Sequence, residues 1–249
     1  MFGLNPIRKV DYLPEDGMLA VQEVFYTIQG EGPFTGCPAV FVRLAGCHLA
    51  CTFCDTEFES GINNRMSAHE VVTAAKKADF NNVRPLVVLT GGEPMRQAAG
   101  DLCGQLLDSG FKHVQLETAG NLWDASLETW LRSGAVSLVV SPKTSHVHPM
   151  VVKYNRHWKY VVREGDADPS DGLPHIPTQK NQPTITRLFR PWDSANGRMI
   201  LGDTDNIWVS PCDAHEAVQS DANLKHAVHI SMRHGYRLSL QVHKIINLP

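Results

Sequence analysis

The sequence predicts an α/β fold, and three observations lead to this prediction. Apolar runs such as 86–89 are typical of strands in a parallel sheet whose two faces are both covered. Helix-start signals and glycines that end helices lie between these runs, so strands and helices alternate. Polar, reactive residue types follow several runs directly, as they do in α/β barrels. With 249 residues, 43% of them hydrophobic, the chain is expected to form one domain over 1–249.

The first 110 residues predict an extended arm, three strands and two helices. Residues 1–20 contain two prolines and no hydrophobic periodicity, which is typical of an extended arm. Ser67 and Glu70 have the spacing of a capping box, which satisfies N–H groups at a helix start. Gly110 is placed to end the second helix. The predicted elements are strands from residue 19 to a polar turn at 29–32, at 39–44 and at 86–89, and helices over 67–79 and 95–110.

The remaining residues predict five further strands and two helices. Gly134 is placed to end the first of these helices. Asp213 and Glu216 have the spacing of a second capping box, which is expected to open a helix that ends near Gly235. The predicted elements are strands at 114–117, 136–140, 158–162, 207–210 and 237–242, and helices over 123–133 and from 213 to about 235.

Residues 163–206 do not follow the alternation of strands and helices. This stretch contains five prolines with Asp and Gly between them, which excludes a continuous helix. Its large apolar side chains, Phe189, Trp192 and Met199, favour a segment that packs against something. A long loop in a compact domain is usually functional or disordered. We expect this insertion to form a lid or a contact between two copies of the chain.

Three cysteines within eight residues form a C-x3-C-x2-C motif: Cys47, Cys51 and Cys54. Thiolates select zinc, copper(I) or iron–sulfur clusters. A structural zinc site normally has a second Cys or His pair, whereas the other three cysteines are isolated in sequence. His48 lies between two motif cysteines, where its side chain has little freedom to face the same ion. The spacing therefore favours an iron–sulfur cluster with one open iron, and zinc and a disulfide remain as alternatives.

The composition argues against two classes of protein. Lys and Arg number 23 against 26 Asp and Glu, the net charge is −3 and no basic run stands out, which disfavours a nucleic-acid-binding protein. No apolar stretch approaches the length of a membrane span. Residues 1–10 contain no apolar segment typical of a secretory signal. We therefore expect a cytoplasmic protein, in which thiolates persist as cluster ligands.

Polar side chains follow one predicted strand after another. Because the carboxyl ends of barrel strands meet at one rim, where active sites form, these side chains are expected to share a single site. The residues concerned are Arg43 and the three motif cysteines, Thr90 and Glu93, Glu117 and Thr118, Ser141 and Lys143, and Gln241 and His243.

The cysteine motif, with the aromatic Phe53 before its last cysteine, resembles the cluster loop of the radical S-adenosylmethionine (SAM) superfamily. Further blocks are similar to those of the branch that makes 7-deazaguanines from a pterin: 27–32, 41–47, 54–56, 90–94, 117–120, 141–143 and 238–244. The resemblance implies an incomplete TIM-like barrel of the radical SAM type with fewer helices than strands. The short gap between Ser141 and Trp158 fits the loss of one helix.

The resemblance also implies an activity. The substrate would be 6-carboxy-5,6,7,8-tetrahydropterin, and ring contraction with loss of ammonia would give 7-carboxy-7-deazaguanine, a precursor of queuosine and related deazapurines. The implied cofactors are a 4Fe–4S cluster, SAM that is regenerated in each cycle, and Mg²⁺. The implied partners are a flavodoxin-like electron donor and a second copy of the chain in a homodimer.

The site residues implied by the resemblance fall into three groups, with no catalytic side chain beyond cluster-bound SAM. The first group holds metal: Cys47, Cys51 and Cys54 bind the cluster and Thr56 binds Mg²⁺. The second group binds SAM and comprises Phe53, Gly91, Gly92, Glu93, Glu117, Ser141 and Lys143. The third group binds the pterin and comprises Gln29, Glu31, Arg43, Thr90, His243 and the terminal carboxylate of Pro249.

Two other functions remain as alternatives. A radical SAM activase, which makes a glycyl radical on a partner protein, shares the cysteine motif and a small barrel. It has no need of Gln29, Glu31, Thr56 or the C-terminal block 238–244. A zinc-stabilised binding module would use the same cysteines without any turnover.

Overall fold

The structure is a computed structural model, and it describes residues 17–83, 85–175, 187–193 and 204–249. Nine strands of these residues form one sheet, in the order β3-β1-β2-β4-β5-β6-β7-β8-β9. The strands are β1 (Leu19–Ile28), β2 (Pro38–Leu44), β3 (Arg65–Met66), β4 (Leu86–Gly91), β5 (His113–Thr118), β6 (Val136–Val140), β7 (His157–Val162), β8 (Ile207–Pro211) and β9 (Arg237–Leu238).

From β2 to β9 every neighbouring pair of strands is parallel, whereas β1 is antiparallel to β2 and to β3. The sheet is not closed, because β3 and β9 lie at its opposite edges. This confirms the predicted α/β class and the incomplete TIM-like barrel. Residues 1–16 of the predicted arm lie outside the described residues, and the last two residues of the arm belong to β1.

The first five of the described helices pack outside the barrel wall, and the last one lies over the polar turn at 29–32. The described helices are α1 (Ala68–Ala78), α2 (Ala99–Asp108), α3 (Glu128–Ser133), α4 (Pro149–Tyr154), α5 (Ala217–His234) and α6 (Val242–Ile245). The capping box predicted for α1 is present, since Ser67 accepts the Glu70 N–H and Glu70 accepts the Ser67 N–H. No helix within the described ranges is long and apolar enough to cross a membrane.

Three predicted helix boundaries were wrong. The second helix begins at Ala99 rather than at residue 95, because residues 94–96 form a 3-10 turn capped by Glu93. The third contains α-helix only from Glu128, after a 3-10 turn at 125–127. The helix predicted from Asp213 starts at Ala217, because the Glu216 carboxylate caps the N–H groups of the first turn.

Two further predictions about the second half of the chain were wrong. The gap after β6 contains the six-residue helix α4, which starts at Pro149, a residue suited to the first position of a helix. The last strand covers only Arg237–Leu238 instead of 237–242, and α6 follows it. Gln241 and His243 therefore lie at a short helix rather than at the end of a strand.

The core lies between the outer face of the parallel strands and the helices. Side chains along a strand alternate between its two faces. On β7, Trp158 and Tyr160 belong to the main core, whereas Lys159 and Val161 line a cleft inside the barrel. A smaller cluster that includes Phe41 packs inside the barrel. The polar residues that follow the strands are therefore carried on a rigid support.

The described parts of the proline-rich insertion pack against the barrel. Leu173 and Leu188 belong to the main core, and Phe189 and Trp192 pack against it, as their apolar character predicted. The Tyr160 hydroxyl donates a 2.7 Å hydrogen bond to the carbonyl of Phe189. Residues 176–186 and 194–203, which include Met199, lie outside the described residues. The proposed lid or dimer contact stays a prediction.

Candidate active site

A cleft of about 450 Å³ opens at the carboxyl ends of the parallel strands. It is the place where the alternating strand residues and the loops that follow them face one another. With one exception, Glu93, every predicted site residue lines it: Gln29, Glu31, Arg43, Cys47, Cys51, Phe53, Cys54, Thr56, Thr90, Gly91, Gly92, Glu117, Ser141, Lys143, His243 and Pro249.

The cysteine motif lies in the loop that follows β2. None of the six cysteines of the chain forms a disulfide, so that alternative is wrong. Cys47 is buried and accepts a 3.4 Å hydrogen bond from the Leu49 N–H, while Cys51 and Cys54 are partly exposed to the cleft. Burial, together with the nearby Glu93, raises the pKa of Cys47 to about 12. A bound metal would offset this effect, because a coordinating thiol is deprotonated.

The three sulfurs suit a cluster better than a single ion. Zinc holds each cysteine sulfur about 2.3 Å away, so its ligands must converge on one point. A structural zinc site normally has four protein ligands, and the candidate for the fourth in this loop is His48. His48 does not line the cleft, and burial and Arg96 lower its pKa to about 4. The donor set therefore fits an iron–sulfur cluster, whose iron atoms are separate binding points.

The glycine-rich edge after β4 packs directly against the cysteine loop. The Gly92 N–H donates to the Leu44 carbonyl at 3.0 Å, and the Glu93 N–H donates to the Gly46 carbonyl at 3.1 Å. A Cβ atom on Gly92 would lie 2.0 Å from the Gly46 oxygen. The absence of side chains therefore allows the two loops to approach closely.

We expect Gly92→Ala to displace the backbone at Gly46 and Cys47, since the added methyl group overlaps backbone atoms that have no rotamer to adopt. The expected result is a loss of about 1–3 kcal/mol in the free energy of unfolding and a lower iron content after anaerobic reconstitution. The control is Gly110→Ala, at a left-handed glycine with no atom within 4 Å of the added Cβ. Equal iron content in the two variants would contradict the expectation.

The predicted contact between Glu93 and SAM needs correction. The Glu93 side chain is 1% exposed and does not line the cleft. Its carboxylate accepts hydrogen bonds from the Thr118 hydroxyl at 2.7 Å and from the Ala119 N–H at 2.9 Å. Burial raises its pKa. Glu93 therefore ties the loops after β4 and β5 together, and Gly91 and Gly92 form the edge that faces the cleft.

Glu117 lies with the residues predicted to bind the pterin. Its carboxylate accepts hydrogen bonds from the Gln29 amide at 3.1 Å, the Thr90 hydroxyl at 3.2 Å and the Gln115 amide at 3.0 Å. Glu117 therefore shares the floor of the cleft with Gln29 and Thr90, and its predicted contact with SAM stays a prediction. Gln115 points to the same carboxylate and was missed in the sequence.

A buried ion pair at the floor of the cleft was also missed in the sequence. The Lys159 ammonium donates a 2.6 Å hydrogen bond to Glu31, and the Ser210 hydroxyl donates a 2.9 Å bond to the other Glu31 oxygen. Burial alone would raise the pKa of Glu31, but these donors hold it below its ordinary value. Burial alone would lower the pKa of Lys159, but Glu31 and Glu117 hold it above its ordinary value. The available signal was a lysine within the otherwise apolar segment 158–162.

Cations lie at two places on the rim. Arg43 forms an ion pair with Glu23 and lies 5.3 Å from the centre of the Phe25 ring. The Lys143 ammonium lies 5.7 Å from the centre of the Phe53 ring and donates a 3.1 Å hydrogen bond to the Ser141 carbonyl. Burial lowers the pKa of Lys143. The rim therefore offers positive charge beside Phe53 of the cysteine loop and at the end of β2.

The C-terminal segment packs over the polar turn at 29–32. A terminal oxygen of Pro249 accepts a 2.9 Å hydrogen bond from the Thr27 hydroxyl. A Cβ atom on Gly30 would lie 2.2 Å from Nδ1 of His243, so only glycine allows this approach. These contacts place His243 and Pro249 at the mouth of the cleft.

The same C-terminal segment is joined to the cysteine loop by charge. Lys244 lies 3.3 Å from Asp55 and 2.8 Å from Asp213, and the Gln241 amide donates to Asp55 at 3.3 Å. The Thr56 hydroxyl donates to the other Asp55 oxygen at 3.3 Å. Although burial raises the Asp55 pKa, Lys244 and Gln241 hold it below its ordinary value. An ionised Asp55 therefore lies beside the threonine predicted to bind Mg²⁺.

Comparison with known proteins places this geometry in a family. Residues 42–164 match the model of the radical SAM superfamily. The 7-carboxy-7-deazaguanine synthase of Rhodospirillum rubrum is 44% identical over the full length of both chains. The enzyme of the same name from Rickettsia prowazekii is 36% identical, covering 100% of this chain and 96% of its own. These relatives confirm the resemblance seen in the sequence.

A solved structure supports the fold independently. The crystal structure of QueE from Escherichia coli matches with a TM-score of 0.59 and covers 90% of this chain and 93% of its own, at 20% identity. That likeness concerns the fold alone, whereas the sequence relatives extend over the whole chain. The chain belongs to the 7-carboxy-7-deazaguanine synthase family of the radical SAM superfamily.

Proposed function

We propose that this chain converts 6-carboxy-5,6,7,8-tetrahydropterin into 7-carboxy-7-deazaguanine and ammonia, as a radical SAM lyase of queuosine and deazapurine biosynthesis. The observation that carries the proposal is a single cleft that is lined by the cysteine loop, by the glycine edge at 91–92 and by the carboxylates of Glu31 and Glu117. The family relationship over the full chain supports the same reaction.

The cysteine loop and the glycine edge would hold the cofactors. Cys47, Cys51 and Cys54 would bind a 4Fe–4S cluster, and Gly91 and Gly92 would admit the ammonium group of SAM to the backbone. When bound, the cluster and SAM supply the one-electron chemistry that removes a hydrogen atom from the substrate. Phe53, Ser141 and Lys143 line the cleft at the same place and would bind the rest of SAM.

The chain itself contributes orientation and exclusion of water. The carboxylates of Glu31 and Glu117 would accept the N–H donors of the pterin ring, because both are held ready by Gln29, Thr90 and other donors. Arg43 would bind the pterin carboxylate through two parallel hydrogen bonds, replacing its exposed pairing with Glu23. His243 and Pro249 would close the mouth of the cleft.

Magnesium is part of the proposal, with Thr56 as its protein ligand. Mg²⁺ keeps several waters and takes few protein oxygens, so one hydroxyl beside an ionised Asp55 and a substrate carboxylate suits it. We expect Thr56→Val to raise the Mg²⁺ concentration needed for half-maximal turnover by about tenfold, within the range seen when metal-site partners are lost. The measurement is initial rate against Mg²⁺ concentration, after removal of divalent ions with a chelator.

The control for Thr56→Val is Thr52→Val, at an exposed threonine of the same loop. This variant is expected to keep the Mg²⁺ dependence of the parent chain. The proposed ligand is rejected when both variants respond to Mg²⁺ like the parent, or when turnover persists unchanged after chelation.

Several further parts of the proposal rest on analogy with the family. They are a flavodoxin-like electron donor, a homodimer and a cytoplasmic location. The glycyl-radical activase is the second candidate function. It has no use for a floor on which Gln29 and Thr90 converge on Glu117, so the geometry favours a small pterin substrate.

The test is anaerobic incubation of the full chain with SAM, a reductant, Mg²⁺ and 6-carboxy-5,6,7,8-tetrahydropterin. We expect one 7-carboxy-7-deazaguanine and one ammonia for each pterin consumed, with the SAM concentration unchanged. Product is identified by mass and by its ultraviolet spectrum. Lack of a deazapurine from protein that holds its cluster would refute the proposed reaction.

A further inference from the structure

Lys159 is a buried cation at the floor of the cleft, and the proposed function assigns it no role. It lies in the middle of β7, between Trp158 and Tyr160, which face the opposite side of the sheet. Its side chain is 11% exposed, and that of its partner Glu31 is 13% exposed. A lysine is rarely buried in a strand unless its charge is paired. Its position on an interior strand, paired with β6 and β8, also fixes the direction of its side chain.

The hydrogen-bonding capacity of Lys159 exceeds what the protein supplies. An ammonium group has three N–H donors. In the part of the chain that the structure describes, Lys159 donates only to Glu31, at 2.6 Å. Both residues line the cleft. Because a buried donor without an acceptor is costly, the remaining N–H groups favour an acceptor atom on a molecule bound in the cleft.

Glu31 and Lys159 together present an acceptor beside a donor. The Glu31 carboxylate keeps lone pairs after accepting from Lys159 and Ser210, since its two oxygens have about four acceptor sites. A pterin carries the complementary arrangement on one edge: ring atom N3 bears a hydrogen, and the adjacent C4 bears a carbonyl oxygen. A carboxylate next to an ammonium group therefore matches this lactam edge in both positions.

We propose that Lys159 is a substrate-binding, specificity-determining residue that donates a hydrogen bond to the C4 oxygen of the pterin while Glu31 accepts from the neighbouring N3–H. The inference rests on the proposed function, since it names an edge of the proposed substrate. It adds a residue to the substrate group, and it explains the need for a cation among the carboxylates of Glu31 and Glu117. A 4-oxo pterin would be selected over ring systems without that oxygen.

A purely structural role for Lys159 predicts a different result. If Lys159 only neutralised Glu31, its loss would weaken every pterin-like ligand by a similar factor. If it donates to the C4 oxygen, its loss weakens the ligands that carry this oxygen and spares the others. The ratio of two dissociation constants therefore separates the two roles, whereas activity alone does not.

The experiment measures binding of two ligands by fluorescence titration of the anaerobically reconstituted full chain. The ligands are 6-carboxypterin and 2-aminopteridine-6-carboxylate, which lacks both the C4 oxygen and the N3 hydrogen and keeps the carboxylate; the loss of the N3 hydrogen affects the parent chain and the Lys159 variants alike. Variants are Lys159→Met, Lys159→Arg and, as a matched control, Lys153→Met, at a half-exposed lysine outside the cleft. We expect the preference of the parent chain for 6-carboxypterin to fall at least about tenfold in Lys159→Met, the value of one hydrogen bond to a charged group. It should be unchanged in Lys153→Met and partly restored in Lys159→Arg.

A second pair of variants covers the case in which Lys159→Met fails to fold because Glu31 is left buried without its partner. Glu31→Gln and the double variant Glu31→Gln with Lys159→Met both lack that charge. Their comparison isolates Lys159, and the double variant is expected to show the smaller preference. An equal preference with and without Lys159 overturns the inference. Failure of the parent chain to bind 6-carboxypterin overturns the proposed substrate as well.

Discussion

Replacing Cys47 by alanine is expected to abolish turnover and to leave the purified protein with little iron. The reason is the number of ligands. The loop after β2 offers three thiols. Among the described residues that line the cleft, one further cysteine is Cys212, which lies after β8 on a different loop. A cluster held by two sulfurs would lose one of its three protein bonds. The measurements are iron and acid-labile sulfide per chain after anaerobic purification, and product formation from the carboxylated tetrahydropterin.

The control for this prediction is Cys37→Ser, at a partly exposed cysteine outside the cleft. We expect this variant to keep the iron content and the turnover of the parent chain. Alanine at Cys51 or Cys54 should behave like alanine at Cys47, because each supplies one sulfur to the same group. Full turnover in any of the three alanine variants would rule out the proposed cluster site.

Replacing Arg190 by methionine is expected to destabilise the fold by about 3–5 kcal/mol, the usual cost of removing one partner of a buried ion pair. Arg190 is 0% exposed and forms hydrogen bonds of 2.7 and 3.1 Å with Asp171, which is 2% exposed. Its guanidinium also donates to the carbonyls of Leu188 and Pro174. The variant leaves Asp171 buried without its main partner. In thermal unfolding, this loss corresponds to a fall in Tm of about 6–20 °C.

Two further variants test the physical reason. Arg187→Met removes a more exposed arginine whose closest ion pair is with Asp193, and it is expected to cost less than about 1 kcal/mol. The double variant Arg190→Met with Asp171→Leu removes both buried charges and should recover much of the lost stability. An Arg187→Met variant as unstable as Arg190→Met would show that burial of the Arg190–Asp171 pair is not the cause of the loss.

The ion pair between Arg190 and Asp171 also shows why the structure of the insertion could be predicted only in part from the sequence. Its prolines excluded a helix, and its aromatic residues predicted packing, as Phe189 and Trp192 confirm. The ion pair between Arg190 and Asp171 joins residues 19 apart in a segment without regular periodicity. Sequence patterns report periodicity and local capping, so contacts of this kind leave no signal in them.

The difference between local sequence patterns and contacts of distant residues also decides what could be predicted of the fold and the site. Strand β4 and the capping box of α1 were predictable, because an apolar run and an S-x-x-E spacing are local features. The last strand was predicted too long, since the end of the chain turns into α6 where it meets the turn at Gly30. The cleft-lining residues were largely found because they follow strands. Lys159 was missed because its meaning depends on Glu31, 128 residues away.

The most direct test of the account is the metal content of anaerobically purified protein, combined with electron paramagnetic resonance of the reduced protein before and after addition of SAM. We predict about four irons and about four sulfides per chain. We also predict a spectrum that changes when SAM is added, because one iron is open to a ligand. The account would be contradicted by one zinc per chain without sulfide, or by a cluster whose spectrum does not change when SAM is added.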